Sequence, residues 1–112
     1  MEAPPLQWDF FECLPVALQD ATTKEVLMIQ YMTEEGLQRT LDQRSTWLWS
    51  RSREDFWMAG RDGGGYDVLD VRGNCLGDSL LAVVDATGRS VCHLGGRSCL
   101  VHPVTGSSTS AP

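Results

Sequence analysis

Residues 14–44, LPVALQDATTKEVLMIQYMTEEGLQRTLDQR, predict two strands and a helix in immediate succession. The first seven of these residues are typical of a strand, which ends at the small polar turn 20–24. Residues 25–32 are almost continuously apolar, as in a well-buried second strand. Thr33 fits an N-cap, and the two glutamates after it complement the dipole of a short helix over 33–44.

Further strands are predicted after the helix. In the stretch 45–52, two tryptophans alternate with a leucine, which places the tryptophans on one face, and the next residues continue the strand across a turn. Residues 66–72 alternate like a half-buried strand, and residues 79–85 form another apolar strand. The glycine-rich segment 60–65 is a loop. About six strands and one helix predict a mainly β fold with one capping helix.

Length and charge restrict the classes of protein that fit this chain. Its 112 residues predict a single domain over residues 1–112, with a loose N-terminal arm at 1–7 and a disordered, low-complexity tail at 104–112. The net charge of −6 lies entirely in residues 1–43, so we expect no nucleic-acid partner. No apolar run is long enough to cross a bilayer, and the N-terminus lacks the pattern of a secretory signal, so we expect no membrane partner and a cytoplasmic location.

Three of the four cysteines form a candidate metal site. With no secretory signal, reduced thiols are favoured over disulfides. Sixteen residues separate Cys75 from Cys92 and six separate Cys92 from Cys99, and a hairpin would bring the first towards the later pair. Three thiolates with one open position are typical of catalytic zinc. The alternative is that all three are unconnected core cysteines, which is how we interpret Cys13.

Several motifs together resemble one enzyme family. The stretches SRSREDFWMAG (50–60), NCLGDSLL (74–81) and CHLGGRSCL (92–100), with the opening strand–turn–strand–helix, resemble phosphoribosyl-AMP cyclohydrolases of histidine biosynthesis, which open the adenine ring of their substrate. The resemblance runs from about residue 14 to residue 100. It implies a small β-barrel-like domain in an intertwined homodimer.

The resemblance also implies a zinc ion shared between two subunits. Cys75 of one subunit and the Cys92–Cys99 pair of the other would hold the ion. His93, next to a ligand, is a candidate for proton transfer because its unperturbed pKa lies near 6.5. The alternative for His93 is a structural role in fixing its loop.

A phosphorylated purine-like small molecule is the partner that the resemblance implies. Arg51 and Arg53 are candidates to bind its phosphate, although only one of them would face the site if they alternate on a strand. Trp57 is a candidate to stack on the heterocycle, but a large aromatic residue in a small domain is more often part of the core. Arg61 replaces an acidic residue of the family's glycine loop, which would change the ligand that fits there.

The chain departs from the family at its second metal. The family's magnesium uses three aspartates, and the matching positions here are Asn74, Leu76 and Asp78. Only Asp78 keeps a carboxylate and remains a candidate second-metal ligand, while a leucine side chain offers no oxygen, so a magnesium site of the family's form is not favoured. The sequence therefore predicts a zinc-dependent hydrolase that opens a cyclic amidine in a purine-type ribonucleotide. It is either the parent enzyme or a close paralogue for a related heterocycle, and the alternative is a non-catalytic homodimeric zinc protein.

Overall fold

The structure of the chain, a computed structural model, describes residues 5–59, 65–86 and 98–105. Within these ranges it contains a mainly β domain with one helix, as the sequence predicts. The elements are, in chain order, β1 Cys13–Asp20, β2 Val26–Thr33, α1 Glu34–Gln43, β3 Trp47–Ser50, β4 Asp55–Met58, β5 Asp67–Gly73 and β6 Leu80–Asp85.

Four strands form one open sheet in the order β2-β1-β6-β5. β1 pairs antiparallel with β2 and parallel with β6, and β5 pairs antiparallel with β6. A second sheet is the hairpin of β3 and β4. Among the described residues β2 and β5 are edges that do not pair with each other, so the expected barrel-like closure is absent there. Local periodicity predicted the strands but carried no information on which strands lie side by side.

Alternation along β1 builds the centre of the core. Leu14, Val16 and Leu18 are fully buried, while the residues between them are only partly buried. The fully buried Leu48 extends this core from β3, where it alternates with the two tryptophans as predicted. The helix α1 contacts β2, β3 and β5, so it covers the sheet from one edge strand to the other, in agreement with the predicted capping helix.

The capping and burial of α1 explain its sequence. The hydroxyl of Thr33 accepts a hydrogen bond from the Gly36 amide at 3.0 Å, which confirms the predicted N-cap. A Cβ on Gly36 would lie 2.9 Å from the carbonyl oxygen of Trp47, so the close approach of β3 requires glycine here. Leu41 is 42% exposed, and Thr40 is the buried residue of that turn of the helix.

Both chain ends are only partly described. From the predicted arm, residues 5–7 lie against the turn after β5, where the Gln7 amide donates to the Gly77 carbonyl at 2.8 Å and Leu6 packs against the core. In the predicted tail, Val104 is exposed, and residues 106–112 lie outside the described ranges. The described part of the chain has no helix longer than α1, and the ten residues of α1 are too few to span a bilayer.

Candidate metal centre and arginine-lined cavity

Cys75 lies on the turn that connects β5 to β6, and its side chain is exposed. The flanking Asn74 holds this turn closed. Its side-chain oxygen accepts hydrogen bonds from the amides of Asp78 at 2.9 Å and Ser79 at 3.1 Å. Its side-chain nitrogen donates to the Asp78 carboxylate at 2.6 Å. The turn therefore presents the Cys75 thiol outward from a hydrogen-bonded frame.

Cys99 belongs to a short segment that docks on β2. Its amide donates to the Leu27 carbonyl at 2.8 Å, and its side chain packs partly against the core. The neighbouring Ser98 is buried, and its hydroxyl donates to the Val26 carbonyl at 2.8 Å and accepts from the Leu100 amide at 3.0 Å. Sequence reasoning assigned no role to Ser98, although the serine of the quoted motif CHLGGRSCL was the available signal.

The strand order places Cys75 and Cys99 at opposite corners of the sheet. The first follows the edge strand β5, whereas the second docks on the other edge strand β2, three strand spacings or about 14 Å away. In the register of the sheet, the end of β5 lies level with Val16 of β1, and the turn of Cys75 extends beyond it. The Cys99 segment lies about level with Leu18 of β1. Together these offsets separate the two backbones by roughly 15–20 Å.

One zinc ion cannot bridge such a gap within one chain. Two sulfur ligands of a tetrahedral zinc lie about 4 Å apart, since each Zn–S bond is about 2.3 Å. Within residues 5–59, 65–86 and 98–105, no three His, Cys, Asp or Glu side chains are grouped as a metal site. The predicted ligand Cys92 and the predicted proton carrier His93 lie outside those ranges, as does Arg61.

The fourth cysteine, Cys13, is half-buried at the start of β1 and forms no disulfide. Burial raises the pKa of its thiol, the charge of Arg51 lowers that pKa, and Glu12 raises it. Burial favours the protonated, apolar form of this thiol, but Cys13 is not one of the side chains in or against the hydrophobic core cluster, where the sequence predicted it.

A cavity of about 690 Å³ opens between β2 and the β3–β4 hairpin. Three of the four predicted substrate-binding residues, Arg51, Arg53 and Trp57, line it together. The two arginines lie on the turn between the strands rather than on a strand, so the condition under which only one of them would face the site does not hold. The remaining lining residues are Gln30, Tyr31, Trp49, Ser50 and Ser52.

Two contacts hold the arginines in place. The guanidinium of Arg51 stacks on the ring of Tyr31, a partner that sequence reasoning missed. The backbone amide and the Nε of Arg53 both approach the hydroxyl of Ser50, at 3.3 and 3.5 Å. Preorganised guanidinium groups at the mouth of a cavity can bind phosphate oxygens with bidentate hydrogen bonds.

Aromatic side chains supply much of the cavity's apolar wall. Trp57 pairs with Leu48 across the hairpin and packs against the core, so it combines the core role and the cavity role that the sequence offered as alternatives. Trp49 lines the cavity from the other face of the hairpin, where its ring meets Phe56 edge to face at 5.1 Å. Indole rings beside guanidinium groups suit a ligand that carries both a heterocycle and a phosphate.

Comparison with known proteins gives the family. A sequence model described as phosphoribosyl-AMP cyclohydrolase matches residues 28–101, a segment that contains the cavity residues and the three later cysteines. The chain belongs to the phosphoribosyl-AMP cyclohydrolase family. It is 40% identical over 94 residues to a phosphoribosyl-AMP cyclohydrolase of Clostridium botulinum (strain Kyoto / Type A2), covering 83% of this chain and 84% of that protein.

Two further relatives agree with this assignment. A phosphoribosyl-AMP cyclohydrolase of Streptococcus sanguinis is 41% identical over 92 residues, covering 81% of this chain and 80% of the relative. The histidine biosynthesis bifunctional protein HisIE of Nostoc sp. is 40% identical over 108 residues, covering 96% of this chain and 50% of that longer protein. The family's enzymes are hydrolases that act on a cyclic amidine.

Proposed function

We propose that this chain is a zinc-dependent cyclohydrolase that opens the adenine ring of phosphoribosyl-AMP or of a closely related heterocyclic nucleotide. The cavity beside the β3–β4 hairpin carries the proposal, because it brings two arginines and two tryptophans together at one opening. These are the groups that a phosphorylated purine needs: guanidinium for phosphate and an indole for the heterocycle. Membership of the cyclohydrolase family supports the reaction type.

The proposed zinc ligands are Cys75, Cys92 and Cys99. Thiolates select zinc over magnesium or calcium, so the donor set fits this ion. When bound with one open position, zinc lowers the pKa of a water molecule to about 7 and so supplies a nucleophile at neutral pH. The exposed Cys75 is accessible to a second chain, while hydrogen bonds to β2 hold the Cys99 segment in place.

The separation of Cys75 and Cys99 within one chain supports a homodimer with intersubunit zinc sites. Cys75 of one subunit would meet the Cys92–Cys99 pair of the other, so that each dimer holds two identical sites related by twofold symmetry. Such a site stands close to the cavity, because Gln30 and Tyr31 lie only three and four residues after Leu27 along β2. The distance along the strand is about 10–13 Å.

In this arrangement Arg51 and Arg53 bind the substrate, and His93 transfers a proton. Arg51 and Arg53 bind one of the two phosphate groups of the substrate, which orients the purine ring towards the cysteines. His93, the neighbour of a proposed ligand, delivers a proton to the ring nitrogen that departs when the amidine opens. Binding through a phosphate would let an open cavity select nucleotides over free bases.

The reaction is tested by an ultraviolet assay with phosphoribosyl-AMP and zinc-loaded protein. We expect turnover that depends on zinc, about one zinc per chain, and loss of both metal and activity in Cys92→Ser. Zinc binding without turnover of phosphoribosyl-AMP or of related nucleotides would instead identify a non-catalytic zinc protein. Activity in a metal-free Cys92→Ser variant would remove zinc from the mechanism.

Subunit mixing tests the shared site. Cys75→Ser and Cys99→Ser, each inactive alone, are unfolded and refolded together in equal amounts. Random pairing makes half of the dimers hybrids. In a hybrid dimer both substitutions fall in one site and the other site is intact, so the mixture should recover about a quarter of the wild-type zinc and activity. Sites confined to one chain would recover neither, because every site would keep one lesion.

A further inference from the structure

The turn that carries Cys75 is closed by hydrogen bonds of the Asn74 side chain. Only an oxygen accepts hydrogen bonds, so the two backbone amides that point at Asn74 identify its Oδ1 and direct its Nδ2 at Asp78. The Asp78 carboxylate receives this amide at 2.6 Å and the Ser79 hydroxyl at 3.5 Å. Two donors thus face one oxygen of the Asp78 carboxylate, its Oδ1.

A carboxylate at position 74 would behave differently. It would bring a second negative oxygen against the Asp78 oxygen, and two carboxylates at such a distance are stable only with a proton or a cation between them. The middle position of the family's pattern, Leu76, has an exposed side chain that offers no oxygen. The residues of this turn therefore do not fit magnesium.

The N-terminal segment also occupies the backbone of this turn. The Gln7 amide donates to the Gly77 carbonyl at 2.8 Å, and its side-chain nitrogen reaches the Leu76 carbonyl at 3.5 Å. Gly77 adopts φ +70°, and a Cβ there would lie 2.3 Å from the carbonyl oxygen of Pro5. The Leu76 and Gly77 carbonyl oxygens of this turn thus already accept hydrogen bonds from Gln7.

We propose that the Asn74 amide takes the place of the second cation and acts as the positioning residue for Cys75. It donates a hydrogen bond to the Asp78 carboxylate in place of a positively charged partner. With Gln7, it also fixes the turn from which Cys75 reaches the other subunit. This proposal rests on the proposed function in that Cys75 is a zinc ligand. Its consequence is a cyclohydrolase that needs zinc but no magnesium.

The first test measures thermal unfolding of the zinc-loaded protein with and without millimolar magnesium, against sodium chloride at equal ionic strength. The wild type should show no magnesium-specific shift in Tm. Asn74→Asp should unfold about 4–8 °C lower without magnesium and recover with it. Asp70→Asn, an exposed change on β5, is the control and should respond like the wild type. A magnesium-specific rise in the wild type, or an Asn74→Asp variant indifferent to magnesium, would overturn the proposal.

The second test measures zinc affinity by competition with a chelating dye. Asn74→Ala should bind zinc about 10–100-fold more weakly, as expected when the support of a ligand is removed. In Asn74→Asp, magnesium should restore that affinity, which a merely structural defect would not allow. Unchanged affinity in both variants would refute the positioning role. A wild type that binds no zinc would refute the proposed function, while the magnesium comparison would still decide whether Asn74 replaces the cation.

Discussion

The guanidinium carbon of Arg51 lies 3.9 Å from the centroid of the Tyr31 ring. This stack joins the β3–β4 turn to the edge strand β2 across the wall of the cavity. Without this contact, an arginine on a turn would sample many rotamers, and binding phosphate would cost the conformational entropy of restricting it to one. The ring therefore holds the arginine in the position from which we propose that it binds phosphate.

Tyr31→Leu should raise the KM for phosphoribosyl-AMP about 2–5-fold and leave kcat unchanged, because a cation–π contact at an exposed site contributes about 0.5–1 kcal/mol. Tyr31→Phe retains the ring and should keep the wild-type KM. Arg51→Met removes the charge itself and should raise KM about tenfold or more. Equal effects of Tyr31→Phe and Tyr31→Leu in steady-state kinetics would show that the phenolic hydroxyl, not the ring, matters.

The Cys13 thiol should titrate above its counterpart in the unfolded chain, since burial raises its pKa. Between the two pKa values the folded protein binds more protons, so this group's contribution to stability is present below the unfolded pKa and is lost as the pH rises. The pH dependence of alkylation at Cys13, followed by peptide mass spectrometry, measures the folded pKa. Arg51→Met should raise it further, because Arg51 lowers it. A midpoint equal to that of urea-unfolded protein would contradict the burial of this thiol.

Gly36→Ala should destabilise the protein, although alanine is the better helix former by about 1 kcal/mol. The added methyl would meet the Trp47 carbonyl oxygen at 2.9 Å, and relieving such overpacking costs about 1–3 kcal/mol. Urea denaturation gives the free energy of unfolding. Gln38→Ala, on the exposed side of α1, is the matched control and should change it little. A Gly36→Ala variant more stable than the wild type would mean that α1 and β3 are further apart than described.

Ser98→Ala should lower the free energy of unfolding by about 1–2 kcal/mol, because it leaves the partly buried Val26 carbonyl and Leu100 amide without this hydroxyl. It should also weaken zinc binding, since the adjacent Cys99 would lose part of its attachment to β2. Thr22→Ala, which removes an exposed hydroxyl from the β1–β2 turn, is the control for both measurements. Wild-type zinc affinity in a destabilised Ser98→Ala variant would separate the docking of this segment from the metal site.

The sequence predicted those features whose causes are local. The alternation around Leu48 and the N-cap at Thr33 each depend on residues within one turn or one strand, so the pattern carries the answer. The family motifs likewise directed attention to Arg51, Arg53 and Trp57, which the structure places at one cavity. The roles of Cys92, His93 and Arg61 stay predictions, because these residues lie outside the described ranges.

Long-range packing determined the features that the sequence did not predict. Spacing along the chain suggested that a hairpin would bring Cys75 towards Cys99, but the strand order sets them at opposite corners of the sheet. The same packing put Tyr31 under Arg51 and the Trp47 carbonyl over Gly36. Side-chain periodicity reports which face of an element is buried, because burial repeats with the backbone geometry. It does not report the neighbour on that face, since the neighbour is chosen by the free energy of packing the whole domain.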